Sequence, residues 1–183
     1  MQLIAEILQA GTGCNAPRAA AWLPFIRSAC GIFAIDTPQR LAAFLSQIGH
    51  ESMRLARARE IWGPTPAQLR YEGRLDLGNT QPGDGKRFMG RGLIQTTGRA
   101  NYAATRDGLR GYATGVPDFE ASPELLEESR WAALSAGWYW STRGLNALAD
   151  AGDFERITRR INGGLNGIDD RRELWEAAKA ALA

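Results

Sequence analysis

The sequence predicts a single, mostly α-helical globular domain spanning residues 1–183. A length of 183 residues suits one domain with a substantial core, and 44% hydrophobic with 23% charged residues is typical of globular proteins. Most segments carry apolar residues at helical spacing. An insertion near residues 61–92 differs, because residues 63–92 hold three prolines and seven glycines. It is expected to form extended loops or a small β-hairpin.

Three helices are predicted before the insertion. Residues 1–10 form a short amphipathic helix, and residues 19–29 form a second one in which Pro24 places either a kink or a new first turn. Thr37 and Pro38 are residue types preferred at the N-cap and first position of a helix, so a third helix is expected to begin there. Its apolar face consists of Leu41, Phe44, Leu45 and Ile48.

The rest of the chain is predicted to be helical outside its loops. A short helix starts at Thr65 within the insertion, and residues 122–124 (Ser-Pro-Glu) have the composition of a helix N-terminus. Further helices are predicted over residues 99–106, 125–140, 153–161 and 171–183. The stripe of Trp131, Trp138 and Trp140 is expected to lie in the core rather than to form a ligand platform.

The net charge of +2 hides an uneven charge distribution. Residues 51–111 hold eleven Lys or Arg against six Asp or Glu, whereas residues 118–128 hold five acidic residues and no basic one. The basic region favours an anionic polymer such as bacterial cell wall, with solvated surface charge as the alternative. Nucleic acid is not expected as a partner, because the sequence has no Lys/Arg-dense run and no nucleic-acid-binding motif.

Composition also excludes several kinds of protein and site. No apolar run approaches the roughly 20 residues that a membrane span needs, so no stable membrane insertion is expected. The N-terminus lacks a signal-peptide core, which predicts synthesis in the cytoplasm. His50 is the only histidine, and Cys14 and Cys30 are the only cysteines, so neither a metal site nor a disulfide scaffold is expected. We expect a monomer without cofactors.

Glu51 lies at an inward-facing position near the end of the third predicted helix. Continuing the spacing of Phe44 and Ile48 places Glu51 on the stripe that faces the core. A buried carboxylate without a partner is costly to ionise and tends to keep its proton, which is the state that a general acid needs. The alternative is a glutamate that is paired with an arginine or exposed where the helix ends.

Three stretches of the chain carry further motifs. The first runs from residue 40 to residue 52 and ends in His-Glu-Ser, and the second reads Gly-Arg-Gly-x-x-Gln-x-Thr within residues 88–102 and ends in Asn-Tyr. The third begins Ile-Asn-Gly-Gly at residue 161 and is followed by Asp170-Arg171. Together, over about residues 21–172, they resemble the chitinase-like glycoside hydrolase family 19, which includes many bacteriophage endolysins. The resemblance implies a lysozyme-like, chitinase-type fold with a cleft.

The resemblance also implies roles for individual residues. Glu51 matches the general acid, Glu60 matches the general base that acts on water, and Thr97 matches the hydroxyl that helps to hold that water. Arg171 matches a basic residue near the catalytic carboxylates and is grouped with the substrate-binding positions. Other residues that match the lining of the sugar cleft are Gln95, Asn101, Tyr102 and Asn162.

Each of these residues also has a purely structural explanation. Thr97 precedes a predicted helix and is suited to be its N-cap. Asn162, followed by two glycines, is typical of a helix C-terminus. Arg171 is alternatively a solvated residue at the start of the last helix. His50 is expected to be structural and to orient a neighbour through a hydrogen bond.

The implied reaction is an inverting hydrolysis of β-1,4 glycosidic bonds by the two glutamates. Such a pair needs its carboxyl groups about 6.5–9.5 Å apart, which leaves space for water. Nine residues of unbroken helix would place Glu60 on the opposite face from Glu51, so the helix must end between them. Residues 54–59 contain no Gly or Pro to end it, and the local sequence therefore does not explain the end.

Peptidoglycan is the expected substrate because of the basic central region. The short chain resembles phage lytic enzymes, which reach the wall after release by a membrane-permeabilising partner, and no separate wall-binding domain is evident. Chitin is the alternative substrate, since it is also β-1,4-linked and contains N-acetylglucosamine. A phage lysozyme of the muramidase family leaves the two later motifs unexplained. A non-catalytic wall-binding protein on the same fold is a further alternative, against which the combination of Glu51, Glu60 and Thr97 argues.

Overall fold

The structure, a computed structural model, describes residues 2–183 and contains within them ten α-helices and two 3₁₀ helices. The α-helices are α1 (Ala5–Thr12), α2 (Ala16–Ile32), α3 (Pro38–Glu51), α4 (Pro66–Leu69), α5 (Asp84–Arg87), α6 (Arg99–Leu109), α7 (Ser129–Thr142), α8 (Leu145–Asp150), α9 (Phe154–Asn162) and α10 (Ile168–Leu182). The 3₁₀ helices are Leu75–Leu77 and Pro123–Glu127. Strand pairing among the described residues is limited to two isolated bridges, which join Arg91 to Arg59 and to Thr96. The predicted mainly helical class is confirmed.

Helix α3 lies at the centre of the fold and packs against α1 and α10. Every residue from 41 to 49 is buried, so α3 is covered on nearly all sides rather than on the single face that its apolar spacing predicts. Gly49 is needed here, because a Cβ atom would lie 2.6 Å from the Cα of Thr12 on α1. A second layer forms where α7 packs against α2, and the Phe44 ring meets Trp140 edge-on at 5.2 Å between centroids.

The predicted helix starts at Thr37 and Thr65 are confirmed. The Thr37 hydroxyl accepts a hydrogen bond from the backbone N–H of Arg40, which caps α3. Thr65 and Gln68 form a reciprocal capping box that starts α4. These caps supply partners for backbone N–H groups that lack one in the first turn of a helix.

Several predicted boundaries in the first 92 residues differ from the structure. Residue 1 lies outside the described residues, and α1 begins at Ala5 and continues to Thr12. Helix α2 starts earlier than predicted and passes through Pro24, which therefore does not start a new helix. The insertion consists mostly of loops, as expected, with the short helices α4 and α5 and the 3₁₀ helix Leu75–Leu77 within it. The alternative of a β-hairpin is wrong for the described residues.

The helix predicted over residues 125–140 is divided in two. A 3₁₀ helix ends at Glu127, Glu128 has extended backbone angles, and α7 then begins at Ser129. The predicted core positions of Trp131 and Trp140 agree with exposures of 5% and 0%, whereas Trp138 is only partly buried. Helix α8 was not predicted from the sequence.

The chain reverses direction directly after Glu51, in a turn formed by three consecutive left-handed residues. Met53, Arg54 and Leu55 have φ angles of 52°, 63° and 58°, respectively. This conformation costs roughly 1–2 kcal/mol per residue for residues other than glycine. The turn ends α3 without Gly or Pro and separates Glu51 from Glu60, as the two-glutamate hypothesis requires.

The structure also bears on the expectations for membrane spans, cysteines and metal sites. Among residues 2–183, no helix combines the length and apolar character needed to cross a membrane. Cys14 and Cys30 are buried free thiols, and burial raises the pKa of Cys30 to about 12. Within the same residues, no group of three or more His, Cys, Asp or Glu side chains is arranged to hold a metal ion.

Candidate active site

A cavity of about 470 Å³ lies beside the C-terminal end of α3. Five of the predicted site residues line it: Glu51, Gln95, Thr97, Asn101 and Asn162. They come from the end of α3, the loop before α6, the first turns of α6 and the end of α9. The three sequence motifs therefore converge on one cleft.

Glu51 is held in this cleft by a buried arginine from α10. Arg171 Nη2 donates to Glu51 Oε1 over 2.5 Å, and Arg171 Nη1 donates to Gln47 Oε1 over 2.5 Å. The side chain of Arg171 is 2% exposed, and that of Glu51 is 20% exposed. Glu51 is thus a partly buried glutamate paired with an arginine, which agrees with the alternative explanation of its inward position. The interpretation of Glu51 as a buried carboxylate without a partner is wrong.

Glu60 is fixed by three hydrogen-bond donors. Gln68 Nε2 and the Tyr71 hydroxyl donate to Oε1 over 2.8 and 3.3 Å, and the backbone N–H of Gly90 donates to Oε2 over 2.9 Å. Burial, with the negative charge of Glu60, raises the pKa of Tyr71, so its hydroxyl stays a donor. A carboxylate has about four acceptor sites, and one site therefore stays open for water.

The structure places Glu60 in a cavity that adjoins the cavity of Glu51. This second cavity measures about 800 Å³ and is lined by Glu60 but not by Glu51. Tyr71 connects the two, since it lines the cavity of Glu51 and donates to Glu60. Gly90 makes a second connection, because its backbone binds Glu60 and its Cα lies so close to Gln95 that a side chain would overlap it.

An ionic cluster ties the left-handed turn to α10. Arg54 donates to both carboxylate oxygens of Asp170, and His50 Nδ1 lies 2.5 Å from Asp170 Oδ2. Hydrogen bonds from Arg54 first and from His50 second lower the pKa of Asp170 to about 2. The contact of His50 agrees with its predicted structural role. Because α10 also carries Arg171, the cluster fixes the turn relative to the partner of Glu51.

The hydroxyl of Thr97 is free to bind a ligand or water. It makes no hydrogen bond to any side chain or backbone group of residues 2–183, and the N-cap of α6 is Gly98 rather than Thr97. The alternative that Thr97 is a helix cap is therefore wrong. The side chain of Asn101 donates to the backbone oxygen of Thr97 over 2.7 Å, which holds the two residues together at the cavity wall.

Asn162 combines its structural explanation with a place in the cavity. It is the last residue of α9, its Nδ2 donates to the backbone oxygen of Asn166, and its Oδ1 accepts from the N–H of Gly164. The same side chain lines the cavity of Glu51. A contact with substrate at this position stays a prediction.

Two predicted substrate contacts lie elsewhere. Tyr102 is fully buried, its hydroxyl donates to the backbone oxygen of Met89 over 2.5 Å, and it accepts from Arg91. The prediction that Tyr102 lines the sugar cleft is wrong, because the inward face of α6 points this ring into the core. Arg171 lies behind Glu51 and does not line the cavity. Its predicted position near Glu51 agrees with the structure, and its grouping with substrate contacts does not.

Three residues of the site were missed by sequence reasoning. Tyr139 and Arg143 line the cavity, and the Arg143 guanidinium lies 3.9 Å from the centroid of the Tyr139 ring. Burial, and to a smaller extent Glu51, raises the pKa of Tyr139 against the opposing effect of Arg143. Gln47 is buried and binds Arg171. Its polar side chain on the inward face of α3 was a signal in the sequence.

Most of the basic residues in the central region are neutralised by acidic partners. Seven of the eleven form ion pairs: Arg54, Arg59, Arg74, Arg91, Arg99, Arg106 and Arg110. The acidic segment 118–128 supplies several of the partners, including Glu120 and Glu127. The local excess of positive charge therefore comes down to four cations without an acidic partner among residues 2–183: Arg57, Arg70, Lys86 and Arg87.

Comparison with known proteins places this geometry in context. No family model matches the sequence. A Haemophilus influenzae protein described as a glycosyl hydrolase family 19 domain-containing protein is 36% identical over 163 residues, which covers 74% of this chain and 76% of that protein. An endochitinase of Arabidopsis thaliana is 32% identical over 158 residues, and the matched region covers 84% of this chain but only 51% of that relative. A solved bacterial family 19 chitinase superposes with a TM-score of 0.73 at 22% identity, covering 100% of this chain and 95% of that chain, which confirms the chitinase-type fold.

Proposed function

Since the chain belongs to glycosyl hydrolase family 19, and is thus a glycoside hydrolase, we propose that it cleaves β-1,4 bonds of bacterial peptidoglycan as a phage endolysin. The observation that carries the reaction is the link between two glutamates, because Tyr71 lines the cavity of Glu51 and donates to Glu60. Release to the wall through a membrane-permeabilising partner, followed by host-cell lysis, is part of the proposal.

Glu51 is the general acid in the proposed mechanism. Arg171 occupies Oε1 of Glu51, so Oε2 is the oxygen that is left to deliver a proton to the glycosidic bond in this mechanism. Transfer of this proton to the glycosidic oxygen allows the C–O bond to break as positive charge develops on the sugar ring. Asn101 and Asn162 line the same cavity and supply amide groups to hold the sugar.

Glu60 is the general base. Its open acceptor site takes a proton from a water molecule, which attacks the anomeric carbon on the face opposite to the leaving group. The free hydroxyl of Thr97 helps to hold this water. Because the water attacks directly and no covalent intermediate forms, the configuration of the anomeric carbon is inverted.

The cations without acidic partners support peptidoglycan as the substrate. Peptidoglycan carries carboxylates, whereas chitin is uncharged, and Arg57 and Lys86 lie in the cavity that Glu60 lines. Chitin is the second candidate, since the Arabidopsis relative is named an endochitinase. Both polymers present the same β-1,4 bond to the glutamates.

Product analysis tests this function. Purified peptidoglycan and chitin oligosaccharides are incubated with the native protein and with Glu51→Gln, and new reducing ends are identified by mass spectrometry. We expect reducing ends from peptidoglycan that disappear in the variant, while circular dichroism shows an unchanged fold. Cleavage of chitin alone would move the protein to the second candidate, and wall binding without any cleavage would contradict the enzymatic proposal.

A further inference from the structure

The cavity of about 800 Å³ beside Glu60 is larger than proton transfer to water requires. Its lining comes mainly from residues 55–62, which follow the left-handed turn, and from side chains of α2 and α5. Its volume falls within the range of small-molecule binding sites, about 300–1,000 Å³. The groups that line it therefore indicate what it binds.

Two cations in this cavity have no acidic partner. Arg59 pairs with Glu127 at 3.6 Å, and Glu127 also binds Arg91 at 2.7 Å. Among residues 2–183, neither Arg57 nor Lys86 forms an ion pair, although both line the cavity. The cavity thus presents two positive groups to a ligand.

The two acidic groups of the cavity have partners other than Arg57 and Lys86, and Glu60 keeps one acceptor site for water. Glu60 accepts three hydrogen bonds, and Glu127 is shared by two arginines. Their charges are directed at these donors, so they do not pair with Arg57 or Lys86. An anionic ligand is therefore the partner that fits the unpaired cations.

Aromatic rings connect this cavity to the catalytic cleft. Trp22 and Trp62 are half-buried and line the larger cavity. The ring of Trp62 lies 6.3 Å from that of Tyr71, which lines the cavity of Glu51. Aromatic faces combine apolar surface with a polar edge and suit a sugar ring with its substituents. Aromatic rings thus lie between the cavity of Glu51 and the cavity that holds the two cations.

We propose that Arg57 and Lys86 bind a carboxylate carried by the wall glycan, on a sugar substituent that reaches the cavity beside Glu60. This inference rests on the proposed function and names the feature of the substrate that the site recognises. Two sources share this chemistry, namely the peptide attached to the muramic acid sugar and the lactyl group that remains when the peptide is removed. A carboxylate bound by a guanidinium or an ammonium group forms charge-assisted hydrogen bonds, which are stronger than neutral ones.

Binding measurements test the proposal independently of catalysis. Arg57→Gln and Lys86→Gln are made in the full chain with Glu51→Gln to prevent turnover. Arg70→Gln is the matched control, because Arg70 is also an exposed cation without an ion pair but lines none of the cavities described here. Calorimetry gives the Kd for three glycans of equal length: one with peptides, one stripped of peptides by an amidase, and an uncharged chitin oligosaccharide.

We expect the Kd for the peptide-bearing glycan to rise roughly fivefold or more in Arg57→Gln and in Lys86→Gln, through loss of a charge-assisted contact. Binding of the chitin oligosaccharide is expected to stay unchanged, as is binding of all three glycans by Arg70→Gln. Because the lactyl carboxyl is held in an amide bond while the peptide is attached, a loss confined to the peptide-bearing glycan assigns the carboxylate to the peptide. An equal loss with the stripped glycan shows that the two cations also bind the lactyl carboxylate that the amidase frees.

Two results would overturn the inference. One is an unchanged Kd for both carboxylate-bearing glycans, and the other is an equal loss with uncharged chitin, which would indicate a general effect on the fold. The proposed function fails in a different way, through an absence of new reducing ends from peptidoglycan with the native protein. If the native protein hydrolyses peptidoglycan but both variants bind it as before, the carboxylate site is contradicted and the proposed function is not.

Discussion

Arg171 satisfies three acceptors at once from a buried position. Its guanidinium donates to the side chains of Gln47 and Glu51 and, over 3.2 Å, to the backbone oxygen of Asn166. A buried cation needs such partners, because an uncompensated charge in the interior is costly. The orientation of Glu51 thus depends on a side chain that itself has only one satisfactory arrangement.

The first prediction concerns this arrangement. Arg171→Lys is expected to lower kcat roughly 10–100-fold, because an ammonium group cannot reach the three acceptors from one position. Glu51 would then be slightly misplaced, and a small misplacement of a catalytic acid lowers the rate strongly. KM is expected to change little, since Arg171 does not line the cavity. Steady-state kinetics on the cleaved glycan, corrected for the folded fraction, measures both parameters.

Arg172→Lys provides the control for this variant. Arg172 is the next residue on α10, its side chain is 47% exposed, and it pairs with Glu155 on the surface. We expect native kinetics, because a lysine maintains this pair and surface pairs contribute little. An unchanged kcat in Arg171→Lys, or an equal fall in both variants, would show that Arg171 does not position Glu51.

Local spacing in the sequence predicts the inward position of Glu51 but not its partner. Glu51 lies three residues after Ile48, which is about one helical turn, so the direction of its side chain follows from the period of the helix. Arg171 is 120 residues away and is one of 22 basic residues, and no local pattern selects it. Tyr102 is an error of the motif match, which cannot tell which of two neighbouring residues faces the cleft. Asn101 lines the cleft, whereas Tyr102 lies in the core.

At the scale of elements, the left-handed turn determines where α3 ends. Ser52 holds it locally, since its hydroxyl donates to the backbone oxygen of Ile48 and accepts from the N–H of Leu55. Leu55 is 2% exposed, and Arg54 binds Asp170 on α10. Strained backbone of this kind persists where the surroundings hold it from several sides. The turn lies between Glu51, which lines one cavity, and Glu60, which lines the other.

The second prediction concerns the pH dependence of the ionic cluster formed by His50, Arg54 and Asp170. The folded protein lowers the pKa of Asp170 from 3.8 to about 2, so the stabilisation by its carboxylate is complete above pH 4 and is lost as the pH falls towards 2. Asp170→Asn lacks this contribution at every pH. The difference in unfolding free energy between native protein and variant is therefore expected to shrink between pH 4 and pH 2, as measured by urea unfolding.

Asp169→Asn is the matched control for Asp170→Asn. Asp169 lies in the same first turn of α10, so both variants lose a similar interaction with the helix dipole. Asp169 is exposed and forms no ion pair among the described residues. For Asp169→Asn, the difference in unfolding free energy from the native protein is therefore not expected to shrink between pH 4 and pH 2. A constant difference for Asp170→Asn down to pH 2 would contradict the proposed coupling of Asp170 to Arg54 and His50.

The sequence predicts the start of α3 and not its end. Thr37 and Pro38 are recognisable because capping is a local interaction. The turn at residues 53–55 contains none of the residues that favour positive φ, and it is maintained by a contact with α10. Such a tertiary contact overrides local preference and leaves no trace in the local sequence.

At the scale of the whole molecule, α3 connects the core to the site. Its inward residues contact α1 and α10, and its last residue is Glu51. The acidic segment 118–128 compensates the charge of the basic region around the site. Counting charged residues in the sequence identifies the basic region and the acidic segment. Which cations stay without an acidic partner depends on the ion pairs, and these form only in the folded chain.

The third prediction concerns the core around α3. Leu45 is fully buried, so Leu45→Ala is expected to lower the free energy of unfolding by about 2–5 kcal/mol through lost burial and a new cavity. Leu75→Ala, at a position with 80% exposure, is expected to change it by less than about 0.5 kcal/mol. Urea unfolding measures both values. Equal effects in the two variants would contradict the packing of α3 described above.

The most direct test of the two-glutamate mechanism is the anomeric configuration of the first product. Proton NMR follows hydrolysis of a soluble β-1,4-linked glycan substrate in real time, before mutarotation mixes the anomers. We predict that the α-anomer appears first and that Glu60→Gln abolishes its formation while the fold is maintained, because Glu60 activates the attacking water. First appearance of the β-anomer, or near-native rates in Glu60→Gln, would contradict the inverting mechanism with Glu51 as acid and Glu60 as base.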